Sequence, residues 1–142
     1  MMITSTSDFE KILSKVRLPL TLSLLIIITI LSLTPTLPSA GPEDTDKALH
    51  LLAYGALTAP YAFSIKPPTL TISTLSTDVT RLRLLMFTGV WGAALEILQG
   101  YVGRSTDLWD IIANLAGTVL SLILAPWLYS TALRIFASKA QQ

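Results

Sequence analysis

Four long apolar segments limit most strongly what this chain can fold into. They cover about residues 18–37, 48–65, 79–98 and 111–129. Each approaches the ~20 residues with which a helix crosses the ~30 Å hydrocarbon core of a bilayer. None of them alternates apolar and polar residues with a period of two, so membrane-spanning strands are not expected. The segments predict an all-α integral membrane protein, built as a bundle of four transmembrane helices.

The overall composition agrees with a membrane location and with a single domain. Hydrophobic residues make up 51% of the 142 residues and charged residues only 13%. A soluble domain of this size leaves much of its surface in water and could not bury so much apolar area. We therefore expect one transmembrane domain over residues 1–142, whose partner is the lipid bilayer. A net charge of +1 without a basic tract gives no reason to expect nucleic-acid binding, and the absence of cysteine excludes thiolate chemistry.

The residues before the first span predict a short N-terminal interfacial helix. Apolar residues recur there at helical spacing with basic residues between them: Phe9, Ile12, Leu13 and Val16, then Lys11, Lys15 and Arg17. This pattern is typical of an amphipathic helix that lies on a membrane surface. The first span also has the basic flank of a signal peptide, but Pro38 stands where a cleavage site requires a small residue. We therefore expect the first helix to be retained.

The distribution of basic residues predicts which way the chain faces. If the N-terminus is cytoplasmic, four spans leave only Lys47 and Arg104 on the opposite side. The other eight of the ten basic residues then lie on the cytoplasmic side: Lys11, Lys15, Arg17, Lys66, Arg81, Arg83, Arg134 and Lys139. Because short loops rich in lysine and arginine stay in the cytoplasm, both termini are expected there.

Polar residues occur at the start of the second span and again between the third and fourth spans. Asp46, His50 and Tyr54 are spaced i, i+4 and i+8, which places them on one helix face next to Lys47. Two further faces carry Glu96 with Gln99, and Asp107 with Asp110, Asn114 and Gly117. In the four-span topology all three faces begin at the same extracytoplasmic level. We therefore expect them to converge into one polar site.

The ordered set of these residues resembles the VanZ-like family of small integral membrane proteins. The first block, D-K-x-x-H-x-x-x-Y, comprises Asp46, Lys47, His50 and Tyr54. The second block, E-x-x-Q-x-x-x-x-R-x-x-D-x-x-D-x-x-x-N-x-x-G, comprises Glu96, Gln99, Arg104, Asp107, Asp110, Asn114 and Gly117. The resemblance covers about residues 46–120, and Val102 departs from it because the family often has proline there. It implies a multi-pass protein of a bacterial cytoplasmic membrane, in a family named for a protein associated with low-level teicoplanin resistance.

The charges suggest that this site binds an anion. Lys47 and Arg104 would attract a phosphate or a carboxylate, and the neighbouring carboxylates would position them. The first hypothesis is therefore that the site binds an anionic lipid-linked envelope precursor or a glycopeptide. Ten residues are expected to form it: Asp46, Lys47, His50, Tyr54, Glu96, Gln99, Arg104, Asp107, Asp110 and Asn114.

Two other functions stay open. The protein could be an enzyme that acts on a lipid headgroup, with His50 as acid or base and Asp46 or Glu96 orienting it. A small protein with little mass outside the membrane could also be a structural or accessory subunit of a larger membrane complex. We expect no cofactor and no metal, although His50, Glu96, Asp107 and Asp110 form the oxygen-rich set that a hard cation would use.

The polar residues also have structural interpretations. Hydrogen bonds between helices are expected from His50, Tyr54 and Asn114. A carboxylate within a span needs a partner, and the candidates for Glu96 are Arg104, Lys47 and His50. Arg104 paired with Asp107 or Asp110 would instead clamp the loop. Small residues at intervals of four predict close packing along the fourth helix: Ala113, Gly117 and Ser121.

Overall fold

The computed structural model describes residues 6–35, 43–63 and 79–139, and these residues form four helices without any strand. Helix α1 is Thr6–Leu33, α2 is Glu43–Ala62, α3 is Val79–Tyr101 and α4 is Leu108–Lys139. The predicted all-α class is confirmed. Three of the helices are long and apolar enough to cross a membrane, over Lys11–Leu33, Val79–Tyr101 and Leu108–Thr131.

Several helix ends differ from the predicted segments. Helix α1 is continuous from Thr6, so the predicted interfacial helix and the first span form one element, and Pro19 lies within it. Helix α3 extends to Tyr101 and helix α4 to Lys139, beyond the apolar segments that predicted them. The predicted ends of the first two spans, at residues 36–37 and 64–65, lie outside the described residues, as does Pro38.

The outer surface of the bundle is strongly apolar. Large side chains such as Ile30, Leu52 and Val90 are each at least 60% exposed. A soluble monomer rarely exposes a continuous apolar surface of this kind. This surface is consistent with contact to the acyl chains of a lipid bilayer, which takes the place of water as the solvent.

The interior is held together by two apolar clusters and by one very close crossing of α2 and α4. The first cluster comprises Ile28, Tyr54, Leu57 and Leu95, and the second comprises Ala62, Leu122 and Ala125. At the crossing, a Cβ atom added to Gly117 would lie 2.0 Å from the backbone oxygen of Leu51. The small residue predicted to permit close packing is therefore required where two backbones meet.

Consecutive helices run antiparallel, which defines two ends of the bundle. The guanidinium of Arg17, early in α1, lies 5.0 Å from the ring centre of Tyr61, late in α2. At the opposite end, Arg104 reaches the last turn of α1, and the start of α2 contacts the start of α4 through His50 and Asn114. We call this second end, which holds the end of α1, the start of α2 and the α3–α4 connection, the turn end.

Candidate functional site

The α3–α4 connection is a tightly specified turn that fixes the direction of Arg104 and Asp107. Gly103 has a φ of 82°, and the backbone N–H groups of Gly103 and Arg104 donate to the carbonyl oxygens of Gly100 and Gln99. This is the hydrogen-bond pattern of a Schellman motif, which needs glycine in the left-handed conformation after the helix. Asp107 then caps α4, because its Oδ1 accepts the N–H of Trp109 at 2.9 Å.

Glu96 connects α3 to the start of α4. Its side chain is only 5% exposed, and Oε1 accepts a hydrogen bond from the backbone N–H of Asp107. This hydrogen bond comes from a backbone N–H and not from any of the expected partners Arg104, Lys47 and His50, although His50 lies close enough to interact with Glu96 electrostatically. Lys47 instead lies across from Asp107, with Nζ 3.5 Å from Oδ2. The side chain of Glu96 therefore stabilises the α3–α4 turn through this hydrogen bond, in addition to carrying a titratable group.

His50 bridges α2 and α4. Its Nδ1 lies 3.0 Å from Oδ1 of Asn114, and its Nε2 lies 3.7 Å from Oδ2 of Asp110. The Nδ2 group of Asn114 points away from His50 and toward Gly92 of α3, where an added Cβ atom would lie 2.8 Å from it. With the amide so oriented, Nδ1–H of His50 donates to Asn114, and Nε2 faces Asp110. The predicted hydrogen bonding of His50 and Asn114 between helices is confirmed.

Arg104 holds the end of α1. Its Nη1 donates to the carbonyl oxygens of Leu31 and Ser32 at 3.1 and 3.0 Å. These are among the last carbonyls of a helix, where the backbone dipole is negative and a cation is favoured. The expected clamp between Arg104 and Asp107 or Asp110 is therefore wrong, because the guanidinium faces α1.

Tyr54 and Gln99 are buried beside these groups. Tyr54 is 1% exposed, and its hydroxyl has no hydrogen-bond partner within residues 6–35, 43–63 and 79–139. The hydrogen bond between helices predicted for Tyr54 is thus not formed in the described part of the chain. Gln99 is 2% exposed and lies on the same side of the bundle.

A cleft of about 260 Å³ lies between α1, α2, the end of α3 and Arg104. Its apolar wall is formed by Ile28, Leu31, Leu49 and Ala53. Its polar wall is formed by Ser32, Asp46, His50, Tyr54, Gln99 and Arg104. Leu31 and Leu49 are half exposed, so the apolar edge of the cleft meets the outer surface of the bundle. Such a lining suits a ligand with one polar end and one apolar end.

All ten residues predicted for the site lie at the turn end, but they divide into two groups. Five of them line the cleft: Asp46, His50, Tyr54, Gln99 and Arg104. The other five do not line it and support the turn or orient its neighbours: Lys47, Glu96, Asp107, Asp110 and Asn114. That these residues bind a ligand stays a prediction.

One group of titratable side chains could hold a cation. Asp46, His50 and Asp110 each offer a ligand atom, and these atoms all lie within 4.8 Å of one another. This set differs from the expected set, because Glu96 and Asp107 are engaged with the turn and Asp46 takes part instead. An imidazole beside carboxyl groups can also take up or release a proton, so the same geometry permits acid–base chemistry.

A chain of threonine hydroxyls lies beneath the site and was not predicted from the sequence. Thr58 and Thr118 have their hydroxyl oxygens 3.4 Å apart, and those of Thr118 and Thr88 lie 3.1 Å apart. The chain therefore links α2, α4 and α3 in the interior. A signal was present, since Thr58 continues the spacing of four from Tyr54, and Thr118 does so from Asn114.

Comparisons with known proteins leave the family open. No protein-family model, no curated protein and no solved structure matches the chain.

Proposed function

We propose that this is a VanZ-like, four-span protein of a bacterial cytoplasmic membrane that binds a lipid-linked envelope precursor. The phosphate-bearing headgroup would lie in the cleft beside Arg104, and the lipid chain would leave along the apolar wall. The observation that carries the proposal is the pairing of a guanidinium with an apolar wall that reaches the outer surface of the bundle.

The proposal of four spans depends on α2, which is less apolar than the other three helices. Its 20 residues measure about 30 Å at 1.5 Å per residue, which matches the hydrocarbon thickness. It packs against α1, α3 and α4, and Tyr54, Leu57, Thr58 and Ala62 on it are buried. The protein-facing side of such a helix can carry polar residues at depth, because they face partners rather than acyl chains.

The length of α1 supports an interfacial role for its first turns. Its 28 residues measure about 42 Å, which exceeds the ~30 Å hydrocarbon core. The excess falls at the N-terminal end, where Lys11, Lys15 and Arg17 lie. We propose that this end lies at the cytoplasmic surface, where basic residues are favoured.

The proposed orientation places the turn end on the outer side of the membrane. In an antiparallel bundle, the basic residues early in α1 share an end with Arg81 and Arg83 at the start of α3 and Arg134 late in α4. The turn end holds Lys47 and Arg104. Tyr101 and Trp109 flank the turn and are 84% and 62% exposed, as expected for aromatic residues at a membrane–water boundary. The cleft would then lie at the depth of the lipid headgroups.

Replacing Arg104 tests the proposed function. A hydrogen bond to a charged group contributes ~1.5–3 kcal/mol, so Arg104→Ala should weaken binding of a phosphate headgroup about 10- to 100-fold. The measurement is binding of a fluorescent short-chain polyprenyl diphosphate to the protein in zwitterionic nanodiscs. The same chain ending in an alcohol should bind weakly to both proteins.

Two control variants make the result specific. Arg83→Ala removes an exposed cation from the opposite end and should leave binding unchanged. Arg104→Lys keeps the charge but loses the planar donor array, so it should bind with intermediate affinity. Equal binding by the wild type and Arg104→Ala would contradict the proposal. Binding of teicoplanin, but not of the diphosphate, would assign the cleft to a glycopeptide instead.

A further inference from the structure

We propose that Asp46, His50 and Asp110 bind a divalent transition-metal cation of the Zn²⁺ class between the starts of α2 and α4. Asp46 and His50 are one helical turn apart and project from the same face of α2. Asp110 faces them from the first turn of α4. The three ligand atoms already lie within 4.8 Å of one another.

The state of Asp110 is the observation that points to a cation. Its side chain is 5% exposed, and Oδ1 is buried without a hydrogen-bond partner in the described residues. Oδ2 lies 3.7 Å from Nε2 of His50, which is too long for a hydrogen bond. A buried carboxylate is costly unless it is paired or coordinates a metal. Asp46 adds a second carboxylate at the same place, so a single imidazolium would not neutralise both.

His50 is arranged as a metal ligand would be. Its Nδ1 faces the amide oxygen of Asn114 at 3.0 Å, which leaves Nε2 directed toward Asp110. In metal sites the second ring nitrogen of a ligating histidine usually donates to such an oxygen, which fixes the tautomer and the ring. Asn114 would therefore be the residue that positions His50, and it is itself 2% exposed.

The donor set selects the class of cation. One imidazole nitrogen and two carboxylate oxygens suit Zn²⁺ better than Mg²⁺, which prefers oxygen donors alone and retains water. Ligand atoms on a tetrahedral Zn²⁺ lie roughly 3.3 Å apart, given bonds of ~2.0–2.1 Å. The present separations are at most 4.8 Å, so binding requires the three ligand atoms to move closer together. Three protein ligands leave one position open for an external oxygen.

The open coordination position would let the cation bind a phosphate oxygen of the ligand, a second role that rests on the proposed function. Asp46 and His50 line the same cleft as Arg104. Among the side chains that the structure describes at the turn end, the carboxylates of Asp46, Glu96, Asp107 and Asp110 outnumber the basic groups of Lys47 and Arg104. A divalent cation would offset this excess and could accept a phosphate oxygen beside Arg104. Cation binding itself does not depend on that role.

Metal binding by the protein without added lipid precursor tests the inference. The purified full-length chain is stripped with a chelator, dialysed against ZnCl₂ or MgCl₂, and analysed for bound metal by mass spectrometry. We expect one Zn²⁺ per chain, Zn²⁺ favoured over Mg²⁺, and a higher midpoint of thermal unfolding with Zn²⁺. Asp110→Asn and His50→Gln should each weaken Zn²⁺ binding at least about tenfold.

Asp107→Asn is the matched control, because Asp107 lies three residues away in the same turn and outside the three-residue group. It should bind Zn²⁺ as the wild type does. The inference is overturned if the wild type binds no stoichiometric Zn²⁺, if Mg²⁺ binds more tightly, or if Asp110→Asn binds Zn²⁺ normally. Equal losses in Asp107→Asn and Asp110→Asn would also overturn it. Zn²⁺ binding together with unchanged diphosphate binding in Arg104→Ala would reject only the proposed function.

Discussion

Gly117→Ala should destabilise the bundle strongly, although it adds only one methyl group. The new Cβ would lie 2.0 Å from the oxygen of Leu51 and 3.0 Å from the nitrogen of Gly55, both backbone atoms of α2. Overpacking costs ~1–3 kcal/mol when side chains can adjust, and more where backbones must separate. The ~1 kcal/mol gain in helix propensity from Gly to Ala does not offset this cost. The measurement is thermal unfolding in detergent, followed by circular dichroism.

Gly55→Ala is the matched control for the same helix crossing. A Cβ at Gly55 would lie 3.4 Å from the Gly117 oxygen, which is ordinary van der Waals contact. We therefore expect Gly55→Ala to keep or slightly raise the unfolding midpoint, because alanine favours the helix. If both variants unfold at the wild-type temperature, α2 and α4 do not cross at Gly117.

Glu96→Ala should also produce a large loss of stability. The variant removes the acceptor for the N–H of Asp107 and leaves a gap where the side chain is 5% exposed. A buried donor without a partner costs ~1–3 kcal/mol, the partly buried N–H of Asp107 costs less than that maximum, and the gap left by the side chain adds to it. Because Asp107 caps α4 and contacts Lys47, the turn should also become more mobile. We expect a lower unfolding midpoint and faster hydrogen exchange at the α3–α4 turn.

Glu96→Gln separates the hydrogen bond from the charge. The amide oxygen of glutamine can still accept the N–H of Asp107, so this variant should retain most of the stability that alanine loses. Equal destabilisation by Gln and Ala would show that the negative charge of Glu96, rather than its acceptor oxygen, holds the turn.

Much of the fold could be predicted because each signal is local. Long apolar runs predicted the helices, and small residues at intervals of four predicted the close crossing at Gly117. The turn itself is local as well, since Gly103 ends α3 in the left-handed conformation and Asp107 caps α4. The continuity of α1 was not predicted, because the change from an amphipathic to a uniformly apolar pattern was interpreted as a boundary between two helices. Such a change of pattern does not by itself break a helix.

The partners within the site could be predicted only in part. The spacing of Asp46, His50 and Tyr54 places them on one face, but it does not say which residue of another helix they meet. Arg104 was expected to pair with a carboxylate, whereas it binds backbone oxygens at the end of α1, about 70 residues earlier in the chain. Every residue has a backbone carbonyl oxygen, so the sequence does not indicate which one an arginine will bind. Such a contact can be identified only from the tertiary structure.

The most direct test of an outward-facing ligand cleft is the labelling rate of a single cysteine at its wall. The chain has no cysteine, so Ser32→Cys can be labelled alone with a membrane-impermeant maleimide in intact cells. Ser105→Cys, on the turn but outside the cleft, serves as the control for access from the outer side. We predict that both are labelled from outside, and that a polyprenyl diphosphate slows only the labelling of Ser32→Cys. Labelling of both cysteines only after permeabilisation, or an unchanged rate at Ser32→Cys with the diphosphate present, would contradict the account.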